Sequence, residues 1–190
     1  RTAASLVPEA NVTIVDTKTL SCPMGWQIEA AVRAAQAGWS IEQITALLGK
    51  VSAVTEGFFT LSTLKYLIHG GRISHMKGLI ASLLHIKPVI GVEKERGTYV
   101  NLAQERTLNR AIQKLAEIVA RWNPNPGPMR IQMLHGNNLE ATEILRERLS
   151  ALLDCTFLPT STVAPVLGAH TGAGLVGLAF APISAYPEIP

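Results

Sequence analysis

Short β-rich runs alternate with stretches of helical apolar spacing along almost the whole chain, and this alternation most narrows what it can fold into. It argues for an α/β architecture. Asn11–Asp16 (NVTIVD) reads as a strand that ends in an acid and opens into a loop punctuated by Pro23 and Gly25. Trp26–Ala37 puts Ile28, Ala31, Val32 and Ala35 near helical spacing, with Gly38 where a C′ residue stands. Ser40–Gln43 (SIEQ) spells a capping box, and Ile41, Ile44, Leu47 and Leu48 form the stripe of the helix behind it. Gly57–Thr63 reads as a strand and Leu64–His69 as a short helical turn closed by Gly70-Gly71. His75–Ile86 reads as an apolar helix that must stop before Pro88.

Pro88–Lys94 and Thr98–Gln104 form an expected antiparallel hairpin around Glu95-Arg96-Gly97. Thr107–Trp122 is strongly amphipathic through Leu108, Ala111, Ile112, Leu115, Ile118 and Val119, and Asn123–Pro128 (NPNPGP) is a loop. A strand at Met129–His135 and a helix at Leu139–Leu153 follow. Cys155–Leu158, Thr162–Leu167 and Leu175–Phe180 are expected as closing strands, the last two separated by Gly168–Gly174. The hairpin makes the second part mixed or antiparallel. The expected boundary is near Thr55–Gly57, with one α/β subdomain in residues 1–55 and a second in 56–190.

Composition narrows the function classes. Of the 190 residues, 47% are apolar and 16% charged, below the roughly 25% charged content of soluble domains, which excludes a strongly solvated disordered chain. The longest apolar stretches, such as Gly78–Ile86, are about half a membrane span. The net charge is a mild +3. Thr60–Val92 carries Lys65, Arg72, Lys77 and Lys87 and no carboxylate, which is too sparse, and too poor in stacking aromatics, for a nucleic-acid face. Asp occurs only at Asp16 and Asp154, which argues against a self-sufficient Mg²⁺-dependent kinase. Cys22 and Cys155 cannot staple so long a chain; with no export signal, reduced thiols and a cytoplasmic location are expected. The chain opens on Arg1 rather than Met, as a fragment or processed chain would.

Three polar patches are candidates for chemistry. Asp16–Trp26 (DTKTLSCPMGW) lies where the carboxyl end of a strand opens, the usual ligand position in open α/β sheets. Thr19 and Ser21 offer hydroxyls there, and Gly25 is placed to begin a helix facing an anion; a plain strand-to-helix connection is the simpler alternative. His69–Ser74 (HGGRIS) combines a double glycine with Arg72, whose planar fork suits carboxylate or phosphate; a glycine cap followed by a surface Arg is its alternative. Arg106 opens the long helix against the macrodipole, which suggests a second use. Gly168–Gly174 (GAHTGAG) surrounds His170 and Thr171 with glycines, as a headgroup contact or as a tight inter-strand turn around a packed His. No strand-to-helix order around the glycines marks a dinucleotide fingerprint, and there is no GxSxG elbow and no CxxC pair, so neither a dinucleotide, an acyl-enzyme nor a metal is indicated.

Taken together, these patches resemble one family. Asp16–Ser21 with Gly25 is similar to a D-S-x-x-x-S-x-G loop, and Leu64–Ser74 (LKYLIHGGRIS) to L-x-Y-L-x-x-G-G-R-I-S. Ile86–Ile90 (IKPVI) is similar to I-K-P-I-L, and Gly168–Phe180 to G-x-H-T-G-P-G-x-x-G-x-x-F, all in the same order. The family is the DegV-like proteins, bacterial fatty-acid-binding proteins of the FakB type. Thr17 stands where the family has Ser, Pro23-Met24 interrupts the loop, and Ala173 replaces Pro. The resemblance implies two α/β subdomains of the DegV type: a parallel-sheet first subdomain, incomplete here, and a mixed or antiparallel second one. It implies one long-chain fatty acid held between them, and a separate fatty-acid kinase that phosphorylates the bound acyl chain. In the family, a Thr and a Ser from T-S-x-P-S and S-G-T-Y grip the carboxylate. Neither motif occurs here, and Arg1–Ser5 resembles the residues directly after S-G-T-Y, so roughly the first third of a family member is expected to be missing.

The implied ligand residues are Ser21, Arg72, His170 and Thr171, with Arg72 and Arg106 facing the kinase or a developing acyl phosphate. The chain is then a lipid-binding partner rather than an enzyme. It needs no cofactor and no metal, binds no nucleic acid and touches a membrane surface at most transiently. Burial of a C16 chain supplies up to about 12 kcal/mol at roughly 0.8 per CH₂, before ordering and association costs. Apolar lining therefore supplies affinity, while one or two polar groups fix orientation. The competing reading is a phosphotransfer carrier or small-ketone kinase subunit using His170 covalently. A DNA-binding regulator rests only on the basic 60–92 segment.

Overall fold

The computed structural model describes residues 2–73, 86–122 and 127–190. After a one-turn helix α1 (Thr2–Ser5), two longer helices follow, α2 (Ser21–Gln36) and α3 (Ile41–Val54). Then come β1 (Glu56–Thr60), the short α4 (Lys65–His69), β2 (Lys87–Glu93), β3 (Thr98–Glu105) and α5 (Leu108–Trp122). The chain closes with β4 (Met129–His135), α6 (Leu139–Leu152), β5 (Cys155–Thr162), α7 (Pro165–Thr171), β6 (Val176–Pro182) and a 3₁₀ turn at Ile183–Ala185. The six strands form one mixed sheet in the order β3-β2-β1-β6-β4-β5, antiparallel throughout except for the parallel pair β4–β5.

Strand alternation sends successive side chains to opposite faces and so builds two cores. Phe59, Leu61, Ile90 and Ala179 face α2 and α3, where Trp26, Ala30, Ala34, Leu47 and Val51 meet them. Phe58, Val89, Leu178 and Phe180 face α5 and α6, against Ile112, Leu115, Val119, Leu145 and Leu149. Phe58 stacks edge-on with both Phe180 and Trp122, at 5.0 and 5.2 Å between ring centres. The molecule is therefore helix–sheet–helix in section, and α2–α3 share their core with strands from the rest of the chain.

Most expected elements form. The Ser40 capping box closes reciprocally, with Ser40 N donating to Gln43 Oε1 at 2.8 Å and Gln43 N to Ser40 Oγ at 3.3 Å. The hairpin turns at Gly97, whose φ of +64° lies in the left-handed region that favours glycine. Thr107 Oγ1 accepts the Arg110 N–H at the start of α5.

Four local readings need correction, and one lies outside the described residues. Asn11–Asp16 pairs with no described strand, and Val12, Ile14 and Val15 stand exposed. Helix α2 begins at Ser21 rather than near Gly25, since Pro23 is compatible with a first helical turn. Its buried face is Trp26, Ala30 and Ala34, while Ile28 and Val32 are exposed. Trp26 sets that rotation by donating Nε1–H to Gln132 Oε1 at 2.6 Å and meeting Tyr186 edge-on. Thr162–Leu167 is not a closing strand: β5 ends at Thr162, and Pro165 starts α7 with its φ already helical. Gly168–Thr171 accordingly lies in a helix instead of an inter-strand turn. The apolar helix expected at 75–86 falls almost wholly outside the described residues.

Candidate functional site

A narrow cavity of about 30 Å³ opens between the first turn of α2, the sheet and α7. Its wall is almost entirely apolar, from Phe58, Phe59, Leu134, Leu175 and Leu178 among others, with Thr19, Ser21, Tyr99 and Thr171 as polar exceptions. The lining suits an apolar ligand with a few orienting groups. Beyond α2's first turn, an open groove of about 550 Å³ continues past Met24, Ile28, Ser161 and Val166, and Ser21 borders both spaces.

The loop ahead of α2 is held in an unusual conformation. Lys18 and Ser21 have φ of +54° and +55°, a region that non-glycine residues rarely occupy. Such strain typically costs about 1–3 kcal/mol per residue and collects at functional sites. Asp16 helps hold the loop, with Oδ1 accepting the Lys18 N–H at 3.1 Å. That backbone bond lowers the Asp16 carboxyl from its ordinary value. The hairpin turn lies against the same loop, where a Cβ on Gly97 would fall 3.7 Å from Lys18 Cα. Pro23 seats α2 on the sheet: a Cβ on Gly57 would fall 2.7 Å from Pro23 Cγ.

At the other end, α7 and the turn after it meet α4. Thr171 Oγ1 donates to the Leu167 carbonyl at 2.9 Å, which leaves its lone pairs for a ligand. His170 lies one residue away but does not line the cavity. Its Nδ1 is buried without a hydrogen-bond partner among the described residues, and its ring lies against Gly70. Arg72 is exposed, and its positive charge reaches Tyr99 in the cavity wall. Burial pushes the Tyr99 phenol up, and Arg72 partly offsets this. Arg106 is exposed between β3 and α5, with no hydrogen bond or ion pair shown to the other candidates among the described residues.

Ser21 and Thr171 thus converge on one cavity, Arg72 approaches it through Tyr99, His170 sits just behind its wall, and Arg106 is not brought in. Tyr99 was not among the expected site residues. The only signal was its place on a β-rich run, shared by every neighbour. Both thiols are shielded: burial raises the Cys22 thiol, and burial with the neighbouring Asp154 charge pushes Cys155 up to about 11. Among the described residues, no three His, Cys, Asp or Glu side chains cluster as a metal site. No described helix is long and apolar enough to cross a membrane.

Comparison with known proteins places this geometry in context. A DegV domain-containing protein of Deinococcus radiodurans is 38% identical over 171 residues, covering 90% of this chain and 60% of that protein. The crystal structure of a fatty acid binding DegV family protein from Streptococcus agalactiae superposes with a TM-score of 0.79 at 27% identity, covering 95% of this chain and 63% of the other. DegV of Bacillus subtilis, described as a fatty acid binding protein, gives a TM-score of 0.79 at 26% identity over 95% of this chain and 64% of the other. The chain therefore spans about three fifths of the length of these relatives. The sequence profile of the DegV family, described as uncharacterised proteins, matches residues 1–182. With motifs, fold and profile in agreement over nearly its whole length, the chain belongs to the DegV family.

Proposed function

We propose that the protein binds one long-chain fatty acid and presents its carboxylate to a separate fatty-acid kinase. The observation that carries the reading is the apolar cavity with Ser21 and Thr171 in its wall. Fatty acid binding by the Streptococcus agalactiae and Bacillus subtilis relatives supports it. The acyl tail lies along the apolar wall and the open groove beside it and supplies most of the affinity. Ser21 and His170 donate to the carboxylate, Thr171 joins them when its hydroxyl turns from the Leu167 carbonyl to the ligand, and Arg72 stands outside as a cation for the acyl phosphate. Arg106 is the second cation of the kinase-facing surface. Residues 1–55 belong to a first subdomain and 56–190 to a second, with the acyl chain lying along their junction. The protein works in the cytoplasm, where Cys22 and Cys155 stay reduced. Burial of His170 Nδ1 favours this non-covalent role over a phosphohistidine carrier.

Native mass spectrometry of the intact gene product tests the reading. A non-covalent adduct of fatty-acid mass is expected, lost in organic solvent. A labile covalent adduct on His170 would replace the reading with the carrier. In a reconstituted kinase assay, Arg72→Ala and Arg106→Ala should lower acyl phosphorylation while bound lipid is retained. Equal loss of lipid would make both arginines part of the binding site instead.

A further inference from the structure

The contact between α4 and the turn after α7 is built on missing side chains. A Cβ on Gly70 would overlap His170 Nδ1 and fall 2.8 Å from its Cε1. A Cβ on Gly172 would fall 2.5 Å from Cδ2 and Cε2 of Tyr66. A Cβ on Gly174 would overlap Ser62 Oγ, and Lys87 Nζ holds the Ser62 carbonyl from the other side. The two glycines of the Gly70-Gly71 pair are needed for different reasons. Gly71 has φ +65°, a backbone demand, with open space around it. Gly70 has φ −77° and ψ 0°, which any residue adopts. Space requires glycine there: the imidazole most of all, and the Tyr66 carbonyl, 3.1 Å from such a Cβ, to a lesser degree.

We infer that Gly70 and Tyr66 are positioning residues for His170. Gly70 admits the ring with Nδ1 inward, and Tyr66, seated on Gly172, fixes the turn that follows the ring. The arrangement dictates which ring nitrogen works. An Nδ1–H would be a buried donor facing Gly70 with no acceptor among the described residues, an unfavourable state. In the neutral ring the proton therefore sits on Nε2, and Nε2–H is the donor left for an anionic oxygen. The consequence for ligand binding rests on the proposed role of His170 at the carboxylate, whereas the ring's orientation does not.

The test uses ¹⁵N-labelled full-length protein and long-range ¹H–¹⁵N correlations of the His170 ring without ligand. Wild type is expected to show the Nε2–H tautomer. Gly70→Ala is expected to shift both ring nitrogens, while Gly168→Ala leaves them unchanged, because its added Cβ on the same helix would meet nothing nearer than 4.0 Å. Tyr66→Leu alters an exposed residue and serves if Gly70→Ala does not fold; it is expected to shift or broaden the same signals. Palmitate affinity should fall about tenfold or more in Gly70→Ala, the loss of one hydrogen bond to a charged partner, while hexadecanol, whose hydroxyl accepts only a neutral bond, should lose less. Unchanged ring signals in Gly70→Ala, equal changes in Gly168→Ala, or an Nδ1–H tautomer in wild type each overturn the inference. If neither lipid binds but the ring responds as stated, the positioning role stands and the fatty-acid reading fails.

Discussion

Lys94→Met would remove the tie that holds α3 to the hairpin beside the cavity. Lys94 Nζ donates to the carbonyls of Ser52 at 2.9 Å, Ala53 at 3.2 Å and Thr55 at 3.3 Å, and pairs with Glu56 Oε1 at 2.7 Å. The carbonyls of Ser52 and Ala53, in the last turn of α3, have no intrahelical partner, so the ammonium acts as the C-terminal cap. Hydrogen bonds to a charged donor contribute about 1.5–3 kcal/mol each, but the Lys94 side chain is 28% exposed and water replaces part of the loss. A total of about 3 kcal/mol follows, or a Tm lower by roughly 6–12 °C at this size. The loss depends on pH. Burial raises the Glu56 carboxyl above its ordinary value although Lys94 opposes it. A carboxyl raised in the fold contributes stability that is fully present below the unfolded value of 4.5 and is lost as pH rises through the folded value. Removing Lys94 raises the folded value further and widens that window. Urea titrations at pH 8 and near pH 4.5 should show the larger deficit at pH 8, and Glu56→Gln added to Lys94→Met should reduce the difference between them. A deficit below about 1 kcal/mol at pH 8, or one independent of pH, would refute the reasoning.

Gly177→Ala should destabilise by about 1–3 kcal/mol in urea titration, because its Cβ would fall 2.6 Å from Phe58 O and from Phe59 Cβ in the neighbouring strand. Gly49→Ala, in α3 with open space around its Cβ, should instead stabilise by about 0.5–1 kcal/mol; a loss there would contradict the helix assignment. Iodoacetamide at pH 8 should modify Cys155 far more slowly in the folded protein than in urea, since at a value of about 11 only about a thousandth of the thiol is ionised. Equal rates would show that neither burial nor Asp154 acts on it.

Elements whose signal is local were legible in the residues. The capping box at Ser40, the amphipathic period of Leu108–Trp122 and the Gly97 hairpin needed no distant partner, and each forms as read. Misreadings occur where a distant contact decides. NVTIVD has strand composition, yet composition makes a strand only where a partner supplies the ladder, and none of the described strands pairs with it. The apolar residues of α2 lie on two sides, and the Trp26–Gln132 bond chooses which side is buried. PVLGAHT contains two apolar residues, Val166 and Leu167, that suit either state, and Pro165 at the helix start settles it.

For the site, the residues alone identified the polar loops and the family motifs that contain them. Side-chain chemistry made Ser21, Arg72, His170 and Thr171 candidates. The tertiary structure decided which of them meet. The antiparallel pairing of β1 with β6 places Phe58 opposite Leu178, across 120 positions of sequence, and so brings the α2 loop to the turn after α7. It also divided the work within Gly70-Gly71, one glycine for backbone angle and one for the space His170 fills. A motif states which residue types recur. Only packing states that a hydrogen atom at Gly70 stands where any larger side chain would displace the imidazole, because that volume is filled from the far end of the chain.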